Sequence, residues 1–457
     1  MGGPTNRTIP EPGDSAERLP LAPRPKPAGP LPAPPLVYQA VSDIKVYPKP
    51  PLPKMGPAGF SLDDPTFGCR ILRVTDENTM SGDPLVTPAR AEQNPWNADG
   101  TRFCVLTMDQ RNVPFRFNPA TMTATRIEGL PTLPGIHGNA PFSYHDSDVC
   151  YGKDARRGAV VQYDFQTGRL SEICDVGRAT GLPLGHMEEL TVSATDVLAL
   201  NFGGSQQDTD PYLMTYDMRS GAHHVWNTRE GTLDGKPLPT ATRFTQHNSH
   251  IDRSGRYVWT EGPGKSGPTV MVWDVEKGSV YPLTVSRTGH NVAGYGEMVN
   301  DINRWIYRTL DPVGIDQPHD LMQHPAGEPY FSYDSHLSWN NARPGMHVPV
   351  VASTYHALER GDPRCAYGDE IVAVATDGSR RVWRLAHHRS IAHARIGDAA
   401  SKYSFWDSPR GNVSQDGRFQ MFTSNWEETL GKDRRGHPRE DVFIVKLQCE
   451  TADPGTK

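Results

Sequence analysis

The sequence predicts an all-β fold, a seven-bladed β-propeller of four-stranded antiparallel blades with a proline-rich N-terminal extension. Three observations carry that expectation: a repeated turn-and-strand phrase, aspartate–glycine hairpin signals downstream of each copy, and high contents of both Gly (43) and Pro (42) in 457 residues. The phrase reads Asn94-Pro-Trp-Asn-Ala-Asp-Gly-Thr-Arg-Phe103, then Asn248-Ser-His-Ile-Asp-Arg-Ser-Gly-Arg-Tyr257, then Asn412-Val-Ser-Gln-Asp-Gly-Arg-Phe419. Each copy runs into a short apolar strand. A period of roughly 40–50 residues with several short strands per unit is the signature of propeller blades.

Seven units follow from this spacing: 94–127, 140–173, 186–227, 247–283, 290–320, 336–386 and 412–447. The fifth is the weakest. Tyr163-Asp164, Tyr216-Asp217 and Trp273-Asp274 fall at one equivalent position, each shortly before a glycine (168, 221, 278). Those glycines supply the positive φ that the turn needs, and the aspartates are expected to cap it. The strand at Cys69-Arg-Ile-Leu-Arg-Val-Thr75 is expected to pair beside the last blade and remove its free edge.

The propeller is expected to occupy residues 67–447. Residues 1–66 read as an extended or disordered leader, because Pro23–Pro35 and Pro48–Pro53 admit neither helix nor central strand. Residues 448–457 read as a tail. The formal charge of −6 gives no footprint for nucleic acid. No apolar run reaches the length of a membrane span, and no basic-then-apolar leader is present, so a cytoplasmic location is the default expectation. The six cysteines (69, 104, 150, 174, 365 and 449) form no CxxC pair and are expected to be reduced thiols. The sequence sets no oligomeric state.

The position ahead of each blade's first strand is unusually polar. It carries Glu92-Gln93-Asn94, His137, His186-Met-Glu188, Gln246-His247 with His250, His290 with Tyr295, His336 with Trp339, and Asp407-Ser-Pro-Arg410-Gly-Asn412. Inner strands of a propeller line its channel, so these groups are expected to converge on one mouth. His387-His388-Arg389 follows the last strand of the sixth unit and leads toward the same region. Such a ring is either a functional mouth or an inert polar lining of a wet channel.

Two chemistries fit a functional mouth. In one, His290, His336 and His388 bind a divalent cation such as Mn or Ca. In the other, no metal is needed. His247 and His336 serve as acid and base, Tyr295 protonates a leaving oxygen, and Arg410 neutralises a substrate carboxylate through its planar fork. His250, Arg389 and Asn412 then bind substrate, with Trp339 and Trp406 as stacking faces for sugar rings.

The segment Asp407 to Trp426, followed by Asp441-Val-Phe-Ile-Val445, resembles the last blade of the oligogalacturonate lyase family, and is similar to TolB-like propellers with their Ser-Pro-Asp-Gly-type turns. The resemblance spans roughly residues 180–447. It implies a seven-bladed propeller that cleaves uronate oligosaccharides by β-elimination, with manganese held by histidines and a glutamine. The family's Gln-x-x-His-x-His stretch corresponds here to Asp407, Arg410 and Asn412, so both histidines are absent. The expected function is a lyase on an acidic oligosaccharide. The alternative is a non-catalytic propeller that binds a partner through its mouth or its proline-rich strap.

Overall fold

The computed structural model describes residues 33–449, except 81–82, 89, 205–209, 239–242, 247, 263–269, 284–289, 302–303, 324–332, 357–365 and 393–405. Seven antiparallel sheets follow one another along these residues, one per repeat. Four of them are four-stranded: 85–126, 248–282, 291–320 and 333–387. The second blade has three strands between Val149 and Asp175, and its inner edge is made by isolated bridges from His137 to Lys153 and from Phe142 to Cys150. The third carries an extra hairpin, Thr232–Leu233 with Lys236–Pro237.

The hairpin signals act as their chemistry requires. Gly168, Gly221 and Gly278 take φ of 69°, 75° and 61°. The Asp164 carboxylate accepts from the backbone N–H of Gln166 at 2.7 Å, and Asp217 accepts from Arg219 at 2.8 Å. These aspartates cap turns. Between blades the sheet faces interdigitate, with Trp226 edge-on to Trp273 at 6.4 Å and Phe117 edge-on to Phe419 at 5.0 Å. The second contact joins the first blade to the last.

The ring closes where the sequence predicts. Arg70–Arg73 pairs antiparallel with Asp441–Lys446, register Ile71 to Val445, and Ser61–Asp63 adds a fifth strand outside it. Arg73 and Arg439 both reach the buried Asp441 carboxylate, at 2.5 and 3.0 Å. Cys69 and Cys449 form a disulfide across this seam, which corrects the expectation of reduced thiols for that pair. The two cysteines are 380 residues apart in sequence, and only the closed ring brings them together. Cys104, Cys150 and Cys174 are free and buried. Cys365 lies outside the described residues.

Residues 33–60 form an extended strap across the sixth and seventh blades. Its prolines donate no backbone hydrogen bond, so the strap is held by its carbonyls. Arg389 donates to Pro50 O at 3.0 Å, Trp426 Nε1 to Pro53 O at 2.9 Å, and the Arg384 backbone to Val41 O at 2.8 Å. Tyr38 anchors the other end, its hydroxyl donating to Gly417 O at 2.8 Å. No helix among the described residues is long and apolar enough to cross a membrane.

Candidate functional site

Hydrogen bonds between neighbouring blades fix the direction of the inner strands. His290, ahead of the fifth inner strand (Asn291–Ala293), contacts Ser335 O near the start of the sixth (Tyr333–Ser338) at 2.8 Å. Gly294, past the end of the fifth, accepts from Arg253 N, past the end of the fourth, at 2.8 Å. The inner strands therefore run side by side in one direction, and the molecule has one mouth where they begin and another where they end.

The mouth where they begin gathers buried ionisable groups. The His290 and His336 rings lie 4.1 Å apart, and His336 stacks on Tyr355 at 5.1 Å with an interplanar angle of 18°. Burial, reinforced by His290, Arg410 and Arg90, holds the proton affinity of His336 well below that of an ordinary histidine. It is therefore neutral at pH 7. Its Nε2 makes no hydrogen bond among the described residues. Arg410 is fully buried, its guanidinium 4.5 Å over the Trp406 ring and its Nη2 donating to Trp406 O at 3.0 Å. Burial lowers its pKa to about 10, against the opposing pull of Tyr355, Asp407 and Glu440. Burial, with Asp407 beside it, pushes Glu440 up to about 8.

A segment of the first blade, residues 90–95, lies against the inner strand of the last. Asn412 Nδ2 holds its carbonyls, reaching Ala91 O at 2.8 Å and Gln93 O at 3.1 Å. Two charged side chains project from it. Arg90 pairs with Glu189 at 2.7 Å, and Glu92 meets His250 Nε2 at 3.0 Å. Burial raises the pKa of Glu92, but His250 and Arg90 outweigh it and hold the carboxyl below its usual range. Glu261 completes the cluster, accepting from Asn291 Nδ2 at 3.0 Å.

The structure thus brings His290, His336 and Arg410 together, with His250 and Asn412 against the segment 90–95. Other expected residues lie elsewhere. Tyr295 follows the fifth inner strand while His290 precedes it, a separation on the order of 16 Å along an extended chain. Its neighbours are Arg253, Arg343 and Asp252 at the opposite mouth. Trp339 is core, its Nε1 donating to Val348 O at 2.8 Å. His388 uses both ring nitrogens on backbone: Nε2 bonds Thr354 O at 2.7 Å and Nδ1 accepts from Ser390 N at 2.9 Å. With both so engaged, neither nitrogen is left for a cation, and burial lowers its pKa to about 4. Arg389 anchors the strap and pairs with Glu427 at 3.0 Å. Trp406 is covered on one face by Arg410. His247 lies outside the described residues.

The sequence reading did not single out Tyr355, Arg90, Glu261 or Glu440 as site residues. A signal for two of them exists in the hairpin register. The end of a blade's second strand lies beside the beginning of its first, so Glu261 pairs with Asn248 and Tyr355 with Asp334. On the rim of the same mouth, His186, Glu188 and Asp210 place one ligand atom each within 4.8 Å of one another.

No protein-family model matches the chain, and no curated protein matches it. Among solved structures, oligogalacturonate lyase from Vibrio parahaemolyticus is similar at 12% identity and a TM-score of 0.51, covering 90% of this chain and 98% of its own. An oligogalacturonate lyase in complex with manganese aligns with the same identity, coverage and TM-score. At 12% identity this likeness is one of fold, and it agrees with the seven-bladed architecture.

The family's manganese does not fit at the corresponding positions here. Arg410 is a buried guanidinium without a lone pair to offer, and its charge stands close enough to His336 to disfavour a second cation there.

Proposed function

We propose that the protein is a carbohydrate-active enzyme of the lyase type, acting on uronate-containing oligosaccharides by β-elimination at the mouth where the inner strands begin. The observation that carries this reading is the grouping of a neutral His336, its stacked partner Tyr355 and the Arg410 guanidinium. Elimination from a uronate needs three things: neutralisation of the carboxylate, a base for the C5 proton and an acid for the leaving oxygen. Arg410 suits the first, because a planar fork pairs with a carboxylate in bidentate fashion and so acidifies the carbon beside it. His336 suits the second, since a histidine held neutral at pH 7 keeps its lone pair for a proton. Tyr355 suits the third. The proton passes from C5 to His336, the C4–O bond breaks as the C4–C5 double bond forms, and the departing oxygen takes the phenolic proton. No step is routed through a metal.

One observation favours the alternative of a non-catalytic binding propeller: His336, Arg410 and Tyr355 are each no more than 5% exposed. A panel of uronate glycans separates the two. The enzyme reading expects ultraviolet absorbance from an unsaturated uronate on at least one glycan, undiminished by EDTA and not dependent on added manganese or calcium. Absence of product across the panel sinks the lyase reading and leaves the binding module. The Cys69–Cys449 bridge belongs with an oxidising compartment, so the proposed setting is outside the cytosol.

A further inference from the structure

A second constellation stands apart from the His336 group. His186 and Glu188 lie at the start of the third blade's inner strand, His186–Val192, and Asp210 stands just ahead of that blade's third strand, Tyr212–Asp217. Residues i and i+2 of a strand share a face, which is why His186 and Glu188 project together. The hairpin partner brings in the third group: Gly204, opposite His186, donates its N–H to Asp210 Oδ1 at 2.8 Å and fixes that carboxylate against the pair. His186 Nδ1 and Glu188 Oε1 are 3.5 Å apart.

Two features distinguish this from a chance surface cluster. Asp210 is only 7% exposed and is held through one oxygen by the Gly204 N–H, so its carboxylate is positioned before any ion arrives. Meanwhile His186 and Glu188 stay half open, which leaves an approach from solvent. The competing cation is Lys153, whose ammonium is shared among Glu189, Glu188 and Asp210 and donates to Met187 O at 3.0 Å.

We propose that His186, Glu188 and Asp210 form a divalent-cation site on the rim of this mouth, distinct from the position where the oligogalacturonate lyase family holds its metal. One imidazole and two carboxylates suit manganese or zinc, with water filling the remaining positions; an imidazole ligand disfavours calcium and magnesium, which prefer all-oxygen sets. The site does not depend on the lyase reading, because a binding propeller could carry it equally well.

The test is Mn2+ titration of the full-length protein, followed by the loss of the free-ion paramagnetic resonance signal, in wild type and in Glu188→Gln, Asp210→Asn and His336→Asn. The expected result is one saturable ion per chain, with affinity reduced by at least about tenfold in Glu188→Gln and Asp210→Asn and unchanged in His336→Asn. Glu188 is half exposed, so its replacement does not threaten the fold even if Asp210→Asn does. Absence of saturable binding overturns the proposal and leaves Lys153 as the counter-ion. Binding lost in His336→Asn but kept in Glu188→Gln overturns it equally, by placing the ion in the central cluster.

Discussion

The two ends of the inner strands are built from different chemistry. Where the strands end, the blades are tied largely through side-chain amides, beside the charged Asp252, Arg253 and Arg343. Asn340 donates to Gln93 O at 2.9 Å and accepts from Arg253 at 2.5 Å, Gln415 donates to Trp96 O at 3.0 Å, and Asn341 to Pro349 O at 3.1 Å. Where the strands begin, the lining is ionisable and buried: Arg90, Glu92, Glu261, His336, Arg410 and Glu440. These amide nitrogens donate to backbone carbonyls and hold a fixed geometry. Buried ionisable groups shift one another's proton affinities, which costs stability and is the arrangement that proton transfer requires. The proposed chemistry belongs to the end where the strands begin, and the Asn340, Asn341 and Gln415 bonds to the architecture of the other.

The largest effect that could break it is on turnover. His336→Asn is expected to lower kcat by about 100- to 10,000-fold, the range for removing a general base, with the melting temperature little changed. Tyr295→Phe, at the other end, is expected to leave kcat within about twofold. Inverted results would reverse the assignment of the two mouths.

Stability sharpens the comparison next. Replacing Cys69 and Cys449 together by serine is expected to cost about 2–5 kcal/mol in denaturant unfolding, because the bridge closes nearly the whole chain into one loop. Asn340→Ala is expected to cost about 1–3 kcal/mol by leaving the buried Arg253 Nη2 without its acceptor, without altering KM through any direct contact with substrate. A similar loss of stability with a large rise in KM would place ligand binding at the amide end.

The smallest effect concerns pH. Glu440 titrates near 4.5 when unfolded and near 8 when folded, so the folded state binds its proton more tightly. Its stabilising contribution is full below about 4.5 and is lost as pH rises through 8. Glu440→Gln is expected to flatten the fall of melting temperature between those limits. An unchanged slope would show that Asp407 and Glu440 are not coupled as described.

Much of this fold was legible because its signals are local. Asp-Gly turns, the glycines at 168, 221 and 278 and the alternation in Cys69–Thr75 each specify a hairpin or strand without help from distant residues. The site was legible only in part. The polar register near the inner strands groups His290, His336 and Arg410 in space, although His336 lies within its strand, Tyr333–Ser338, and the same register also swept in Tyr295 and Trp339, a few residues further on. Along a strand those few residues carry the chain to the opposite mouth. Tyr355 and Glu261 come from second strands and needed the register of the hairpin. The Cys69–Cys449 pair needed ring closure, which no spacing in the sequence encodes. Arg389 looked like a ligand for a carboxylate and instead holds the strap, since its partner, Pro50, is more than 300 residues away.

The most direct measurement is the initial rate of unsaturated-uronate formation, on whichever uronate glycan wild type cleaves, for His336→Asn and Tyr295→Phe side by side. The account predicts loss of product with the first and near-normal rates with the second. Full activity in folded His336→Asn would contradict it.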